Sequence, residues 1–128
     1  MKANLMTKRF YFDTYALIEI RKGNPKYSQY KEDVQMLLNK VNLFEVSFFL
    51  LKENKENETQ GIFDNYSRFN VDYDEKDLIN AAKMKFKFLQ QRLSFIDCIG
   101  YILAKKHNAK FLTGDEKFRN KENVEFVK

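Results

Sequence analysis

Short apolar runs alternate with helix-patterned stretches along this chain, and that alternation narrows its fold more than any other feature. Phe10 to Phe12 reads as a buried strand. Thr14 to Lys22 follows with Ala16, Leu17 and Ile20 at helical spacing, until Gly23, Asn24 and Pro25 stop it. A strand is expected at Gln35 to Leu38, although a five-residue apolar run from Val34 also suits the end of a helix. Val41 to Lys52 then reads as a helix apolar nearly all round, as expected of an element packed in the middle of a small domain. Glu53 to Glu58 is a charged, solvated stretch that ends one helix and opens another. Phe69 to Tyr73 is expected as a short strand, Asp74 to Arg92 as a long helix with Leu78, Ala81, Ala82, Met84 and Leu89 inward, and Ser94 to His107 as a second helix. Ala109 to Thr113 supplies a strand, Gly114 to Asn123 a loop, and Val124 to Val127 a last strand. Strands alternating with helices predict a parallel sheet covered on both faces.

A length of 128 residues with 44% hydrophobic content predicts one domain spanning residues 1–128. Lysine and arginine total 23 against 18 acids, so the net charge is +5 and a polyanionic partner would be attracted. The sole cysteine, Cys98, excludes an internal disulfide and a cysteine-cluster zinc site, in keeping with a reducing cytoplasm. Met1 to Phe12 lacks the apolar stretch of a signal peptide, and Leu43 to Leu51, the greasiest segment, falls short of the roughly 20 residues that span a membrane. A soluble cytoplasmic protein is the expectation. Met6 offers an alternative start.

Against this basic background four acids stand out. Asp13 directly follows Phe10-Tyr11-Phe12, and Asp115 follows Phe111-Leu112-Thr113-Gly114, so each sits where a strand gives out. Ligands of open α/β sheets bind outside the carboxyl ends of the strands. Each also has a plainer role: Asp13 as a helix N-cap and Asp115 as a turn residue. Glu45 lies among Leu43, Phe44, Val46, Phe48 and Phe49, where a lone ionised carboxylate is costly and a bound cation or a lysine partner would relieve it. Asn42, three residues earlier, shares its face and is placed to orient it. Ser94-Phe95-Ile96-Asp97 matches a capping box, whose first turn aims Asp97 at the same sheet edge. Gly100, one turn later, would let a backbone or a phosphate come close. Thr113 is placed to bond a neighbouring carboxylate.

A fold that brings all four acids to one edge would need a cation to offset their repulsion. Oxygen-only ligands suit Mg²⁺ or Mn²⁺ and not zinc. Such ions activate water and neutralise charge on a phosphodiester. A phosphohydrolase with Asp13 as nucleophile would carry an Asp-x-Asp pair, and position 15 is Tyr15. His107, at a helix end beside Asn108, is explained by capping.

At Phe10-Tyr11-Phe12-Asp13-Thr14, Val41-Asn42-Leu43-Phe44-Glu45, Leu93-Ser94-Phe95-Ile96-Asp97 and Leu112-Thr113-Gly114-Asp115-Glu116-Lys117-Phe118 the chain resembles the PIN-domain ribonucleases. The match spans nearly the whole chain in the family's order. The resemblance implies a three-layer α/β/α sandwich with a central parallel sheet. It places Asp13, Glu45, Asp97 and Asp115 on the family's metal ligands, with Thr113 at the supporting hydroxyl. It further implies Mg²⁺- or Mn²⁺-dependent cleavage of RNA and often a homodimer. Stand-alone members of this size are commonly VapC-type toxins, whose antitoxin partner covers the acidic pocket. Lys117, Arg119 and Lys121 are candidate phosphate contacts near Asp115, whereas Lys105 and Lys106 have a helix-dipole explanation. The other reading is a non-catalytic RNA-binding or protein-interaction module that keeps the acidic pocket as a docking point.

Overall fold

Phe10, Tyr11 and Phe12 are all buried, and successive side chains of a strand point to opposite faces, so the first strand must be covered on both sides. The computed structural model, which describes residues 7–128, arranges the chain in that way; Met6 lies outside the described residues. The elements run β1 (Lys8–Phe12), α1 (Thr14–Lys22), β2 (Val34–Leu37), α2 (Lys40–Lys52), α3 (Thr59–Tyr66), α4 (Glu75–Lys87), α5 (Phe95–Lys106), β3 (Lys110–Thr113) and β4 (Val124–Phe126), with short 3₁₀ turns between them. Among the described residues four strands form one sheet in the order β2-β1-β3-β4, and every pairing is parallel.

The alternation along the central strands sorts the core into two layers. Phe10, Phe12 and Leu112 face one side, where Ala16, Leu17, Leu43, Val46, Leu50 and Ile62 of α1, α2 and α3 cover them. Tyr11 and Phe111 face the other, against Ala81 and Met84 of α4 and Cys98, Ile99, Leu103 and Ala104 of α5. The result is the expected α/β/α sandwich. Burying an aromatic ring of this kind stabilises the fold by about 1.5–3 kcal/mol. The phenols that enter the core each donate to an oxygen: Tyr27 to the Val127 carbonyl, Tyr30 to Glu125 and Tyr101 to the Glu122 carbonyl.

Three expectations are corrected. Phe69 to Tyr73 forms no strand: Ser67–Phe69 is a 3₁₀ turn, and only Asn70 bridges to Leu38. Asn70 spends its side chain on the distant Lys40 amide and locally on Asp72, and a local bond of the second kind competes with a sheet ladder. The helix expected over Asp74 to Arg92 starts with Asp74 as its N-cap and ends at Lys87; a 3₁₀ turn follows, and Arg92 takes a left-handed backbone with φ 54°. Ala81 and Met84 face inward, but Leu78, Ala82 and Leu89 do not. Finally, α2 is not enclosed, since Phe44, Phe48 and Leu51 are 64%, 56% and 47% exposed.

β1 connects to β2 on one side while β3 pairs on the other, so the sheet changes direction between β1 and β3. In doubly wound folds the ligand crevice opens at the carboxyl ends of such strands.

Candidate active site

Asp13 is the residue at which β1 becomes α1. Its amide still pairs with the Leu112 carbonyl of β3 at 3.2 Å, and its Oδ1 accepts from the Ala16 amide at 3.0 Å as the N-cap of α1. Capping and a place at the sheet edge therefore coincide in one side chain. Asp13 is only 6% exposed. Burial pushes its carboxyl up to about 8; the Thr113 hydroxyl and the Ala16 amide pull it back, and the charges of Asp97 and Asp115 push it further up.

Thr113 links two of the acids. Its hydroxyl lowers the Asp13 carboxyl, and its Oγ1 accepts from the Asp115 amide at 3.0 Å. Asp115 in turn caps the 3₁₀ turn Glu116–Phe118, its Oδ1 accepting from the Lys117 amide at 3.0 Å. Asp97 stands in the first turn of α5 in the expected capping box: the Ser94 amide donates to Asp97 Oδ2 at 2.9 Å, and the Asp97 amide donates to Ser94 Oγ at 3.0 Å. Burial raises its carboxyl, the Ser94 bonds oppose that, Asp115 raises it again and Lys117 lowers it. Burial likewise raises Glu45, against the Thr14 hydroxyl and with the charge of Asp97. The four carboxylates thus act on one another through Asp97.

Two residues of this network carry no sequence signal of their own. The Tyr11 hydroxyl donates to Asn42 Oδ1, Asn42 Nδ2 donates to Thr14 Oγ1 at 3.2 Å, and Thr14 donates to Glu45 Oε1 at 2.5 Å. Asn42 therefore acts on Glu45 through Thr14 and not directly. Asn42 is fully buried and also accepts from the Asn39 amide, so the chain of bonds hangs from a fixed point. Thr14→Val keeps the shape and removes the hydroxyl. Because outer partners of this kind are typically worth 10–100-fold, we expect activity to fall by roughly that factor with thermal stability little changed. Parallel activity and melting assays check this.

Gly100 serves packing and not a ligand: a Cβ there would meet the Tyr11 ring at 2.9 Å and the Phe111 ring at 3.2 Å. Of the three candidate phosphate contacts, Lys117 is the one whose charge lowers Asp97. Arg119 is held by both oxygens of Glu116 at 2.8 Å. His107 caps the far end of α5, roughly 15 Å along the helix from Asp97, which places it outside this pocket.

The donor set consists of carboxylates, which fits a hard divalent cation. Asp97 and Asp115 each spend one oxygen on a capping bond, and among the described residues the other oxygen takes none. Among the described residues no three carboxylate, imidazole or thiol side chains converge tightly enough to grip one ion as they stand.

The family model of the PIN domain matches residues 10–124, from β1 into β4. The chain belongs to the PIN-domain family. PIN domains are generally nucleases. This PIN chain is similar in fold to a toxin-antitoxin complex from Klebsiella pneumoniae, at 22% identity, TM-score 0.67, and coverage of 90% of this chain and 94% of that one. It is similar as well to VapBC2 from Rickettsia felis bound to a DNA fragment from their promoter, at 18% identity, TM-score 0.68, and coverage of 93% and 97%. PAE2754 from Pyrobaculum aerophilum shares 15% identity at TM-score 0.69, with coverage of 95% and 92%. No curated protein sequence matches the chain.

Proposed function

We propose that this PIN protein is a metal-dependent endoribonuclease that hydrolyses RNA phosphodiester bonds and acts as the toxin of a toxin-antitoxin pair. The observation that carries the reading is the group of carboxylates at the carboxyl end of β1 and β3, coupled through Asp97, with Asp13 held up to about 8. Keeping several carboxylates together without a counter-charge is costly, and functional sites are where such perturbed groups gather.

Asp13, Glu45, Asp97 and Asp115 are the residues that would hold Mg²⁺ or Mn²⁺. When bound, the ion supplies acidity to water and offsets charge on the phosphate. The chain's own work is positioning. Thr113 supports Asp13, the Tyr11-Asn42-Thr14 relay fixes Glu45, the capping box with Ser94 fixes Asp97, and the Lys117 amide fixes Asp115. Lys117, beside Asp97, offers an ammonium to the phosphate.

Partner binding is supported by the exposed stripe Phe44, Phe48 and Leu51 on α2, the helix that carries Glu45. Spaced four and three residues apart, these side chains lie on one helix face and suit an apolar antitoxin segment crossing the pocket. Leu78, Ile79 and Phe86 on α4 form a second exposed apolar set, suited to a homodimer. No helix among the described residues is long and apolar enough to cross a membrane; action on cellular RNA would call for a cytoplasmic protein.

The test is cleavage of labelled single-stranded and structured RNAs by the purified protein and by folded Asp97→Asn, in Mg²⁺, in Mn²⁺ and with excess chelator. Cutting in either metal, absent with chelator and in the variant, is the expected result. RNA bound but left intact under every condition would instead make the domain a docking module.

A further inference from the structure

Asp97, Tyr101 and Lys105 recur every fourth residue along α5, so they lie one turn apart on the same side of the helix. A groove runs beside Tyr101 and Lys105. Its cavity of about 390 Å³ is lined by Met84, Lys87 and Phe88 at the end of α4, Tyr101 and Lys105 on α5, and Lys121 in the loop before β4. Glu122 is the carboxylate on its rim, and its carbonyl is engaged by the Tyr101 hydroxyl.

The three ammonium groups are held by rings. Lys121 sits 4.2 Å from the centre of the Phe88 ring and 5.6 Å from that of Phe118; Lys105 sits 4.9 Å from Tyr101 and Lys87 5.4 Å from Phe88. Among the described residues none of the three is paired with a carboxylate, whereas the neighbouring Lys106 is bound to Asp77 at 2.7 Å. Lys121 bonds only neutral oxygens, the Gln91 side chain and the Lys117 carbonyl, so it is a partly buried cation without a counter-ion. Helix dipoles account for lysines at the ends of α4 and α5. They do not account for Lys121, which belongs to neither helix, or for the convergence of all three on one concave surface.

We propose that this groove binds the phosphate backbone of single-stranded RNA next to the cleaved bond, with Lys87, Lys105 and Lys121 as its phosphate contacts. The choice of RNA rests on the nuclease reading above. The rings restrain the lysine side chains before binding, which reduces the entropy lost when a phosphate arrives. From Asp97 to Lys105 is roughly 12 Å along the helix, so the groove reaches nucleotides flanking the acidic pocket. Lysines interleaved with aromatic rings are the usual furniture of single-strand sites.

The experiment measures Kd for a fluorescent 12-nucleotide single-stranded RNA between about 50 and 200 mM salt, with chelator present so that no cutting is required. Lys87→Gln/Lys105→Gln is expected to weaken binding roughly tenfold and to flatten the slope of log K against log salt by about 1.4, at about 0.7 per lost phosphate contact. Lys87→Arg/Lys105→Arg should retain both. Unchanged affinity and slope in the glutamine variant, no RNA binding by the wild type, or preferential binding of DNA of the same sequence would each overturn the proposal. In Mg²⁺ the glutamine variant should raise KM for the 12-mer and leave kcat as it was. If lysine-dependent binding is found and no RNA is cut, the groove stands and the nuclease reading fails, so the two can fail separately.

Discussion

Asp13→Asn is expected to abolish nuclease activity while making the metal-free protein more stable above neutral pH. Removing one preorganised electrostatic partner from an active site typically costs between roughly 10²- and 10³-fold, and Asp13 is the most buried of the four acids. The stability gain has the opposite sign for a simple reason. An aspartate in the unfolded chain ionises near 3.8, whereas in the folded protein burial and the charges of Asp97 and Asp115 hold Asp13 to about 8. Between those values the native state keeps a proton that the unfolded chain has lost. The stability associated with that proton is fully present below about pH 4 and has been lost once the pH passes 8. Asparagine has no proton to lose, so the decline across this window should be much reduced in the variant. Glu45 and Asp97, also raised, leave a residual slope of the same sign. Melting temperatures at pH 5 and pH 8, each with and without Mg²⁺, read both effects. The wild type should gain most from the ion at pH 8 and the variant little at either pH. Equal pH profiles for the two proteins would remove Asp13 as the source of the cost.

The second large effect falls on stability and not chemistry. Gly114→Ala places a Cβ on the Tyr15 ring and on the Val127 carbonyl oxygen. The ring could shift, but the carbonyl also accepts from Tyr27, and the Val127 amide donates to Thr113 at 2.9 Å, so the backbone there cannot swing away. Overpacking of this kind costs about 3 kcal/mol, or roughly 10 °C in Tm for a chain of this length. Gly23, by contrast, has nothing within 4 Å of its added Cβ, so Gly23→Ala meets only the cost of its left-handed backbone, φ 76°. Thermal melts of the two variants side by side separate a steric cause from a conformational one. A Gly114→Ala protein as stable as the wild type would mean that the β3–β4 edge is looser than described.

How much of this was legible beforehand depends on whether a feature is local. The strands β1 and β3 are apolar runs with an acid just past the end, and strands buried on both faces read clearly for that reason. The capping box of Ser94 and Asp97 depends only on neighbours three residues apart, and the structure forms it as expected. The misreadings have a common cause. Phe69 to Tyr73 has apolar residues at strand spacing, but Asn70 and Asp72 between them bond each other, and Asn70 also reaches the Lys40 amide. The apolar pattern after Met84 continues through Phe86, Phe88 and Leu89, yet Phe86 is 79% exposed and the helix has ended by Lys87. Apolarity signals burial, and a helix that keeps an apolar face for a partner uses the same signal. The enclosed helix expected over Val41 to Lys52 instead turns Phe44, Phe48 and Leu51 outward, the face proposed above for an antitoxin. Asn42 was legible as a neighbour of Glu45 from their spacing, but the Thr14 hydroxyl between them was hidden: that link exists only once α1 packs against α2, and no residue spacing encodes it.

The sheet order has a consequence for the timing of synthesis. β1 lies between β2 and β3, and β3 is made only after all five helices. Contacts of such wide sequence separation form slowly, after the entropy of closing a long loop has been met. A partly made chain on the ribosome therefore holds Asp13 and Glu45 but has neither Asp115 nor the strand that bears Thr113. If the acids act as proposed, a translating cell is not exposed to the activity until β3 and Asp115 have been made, and an antitoxin present at that moment meets the pocket as it first takes shape.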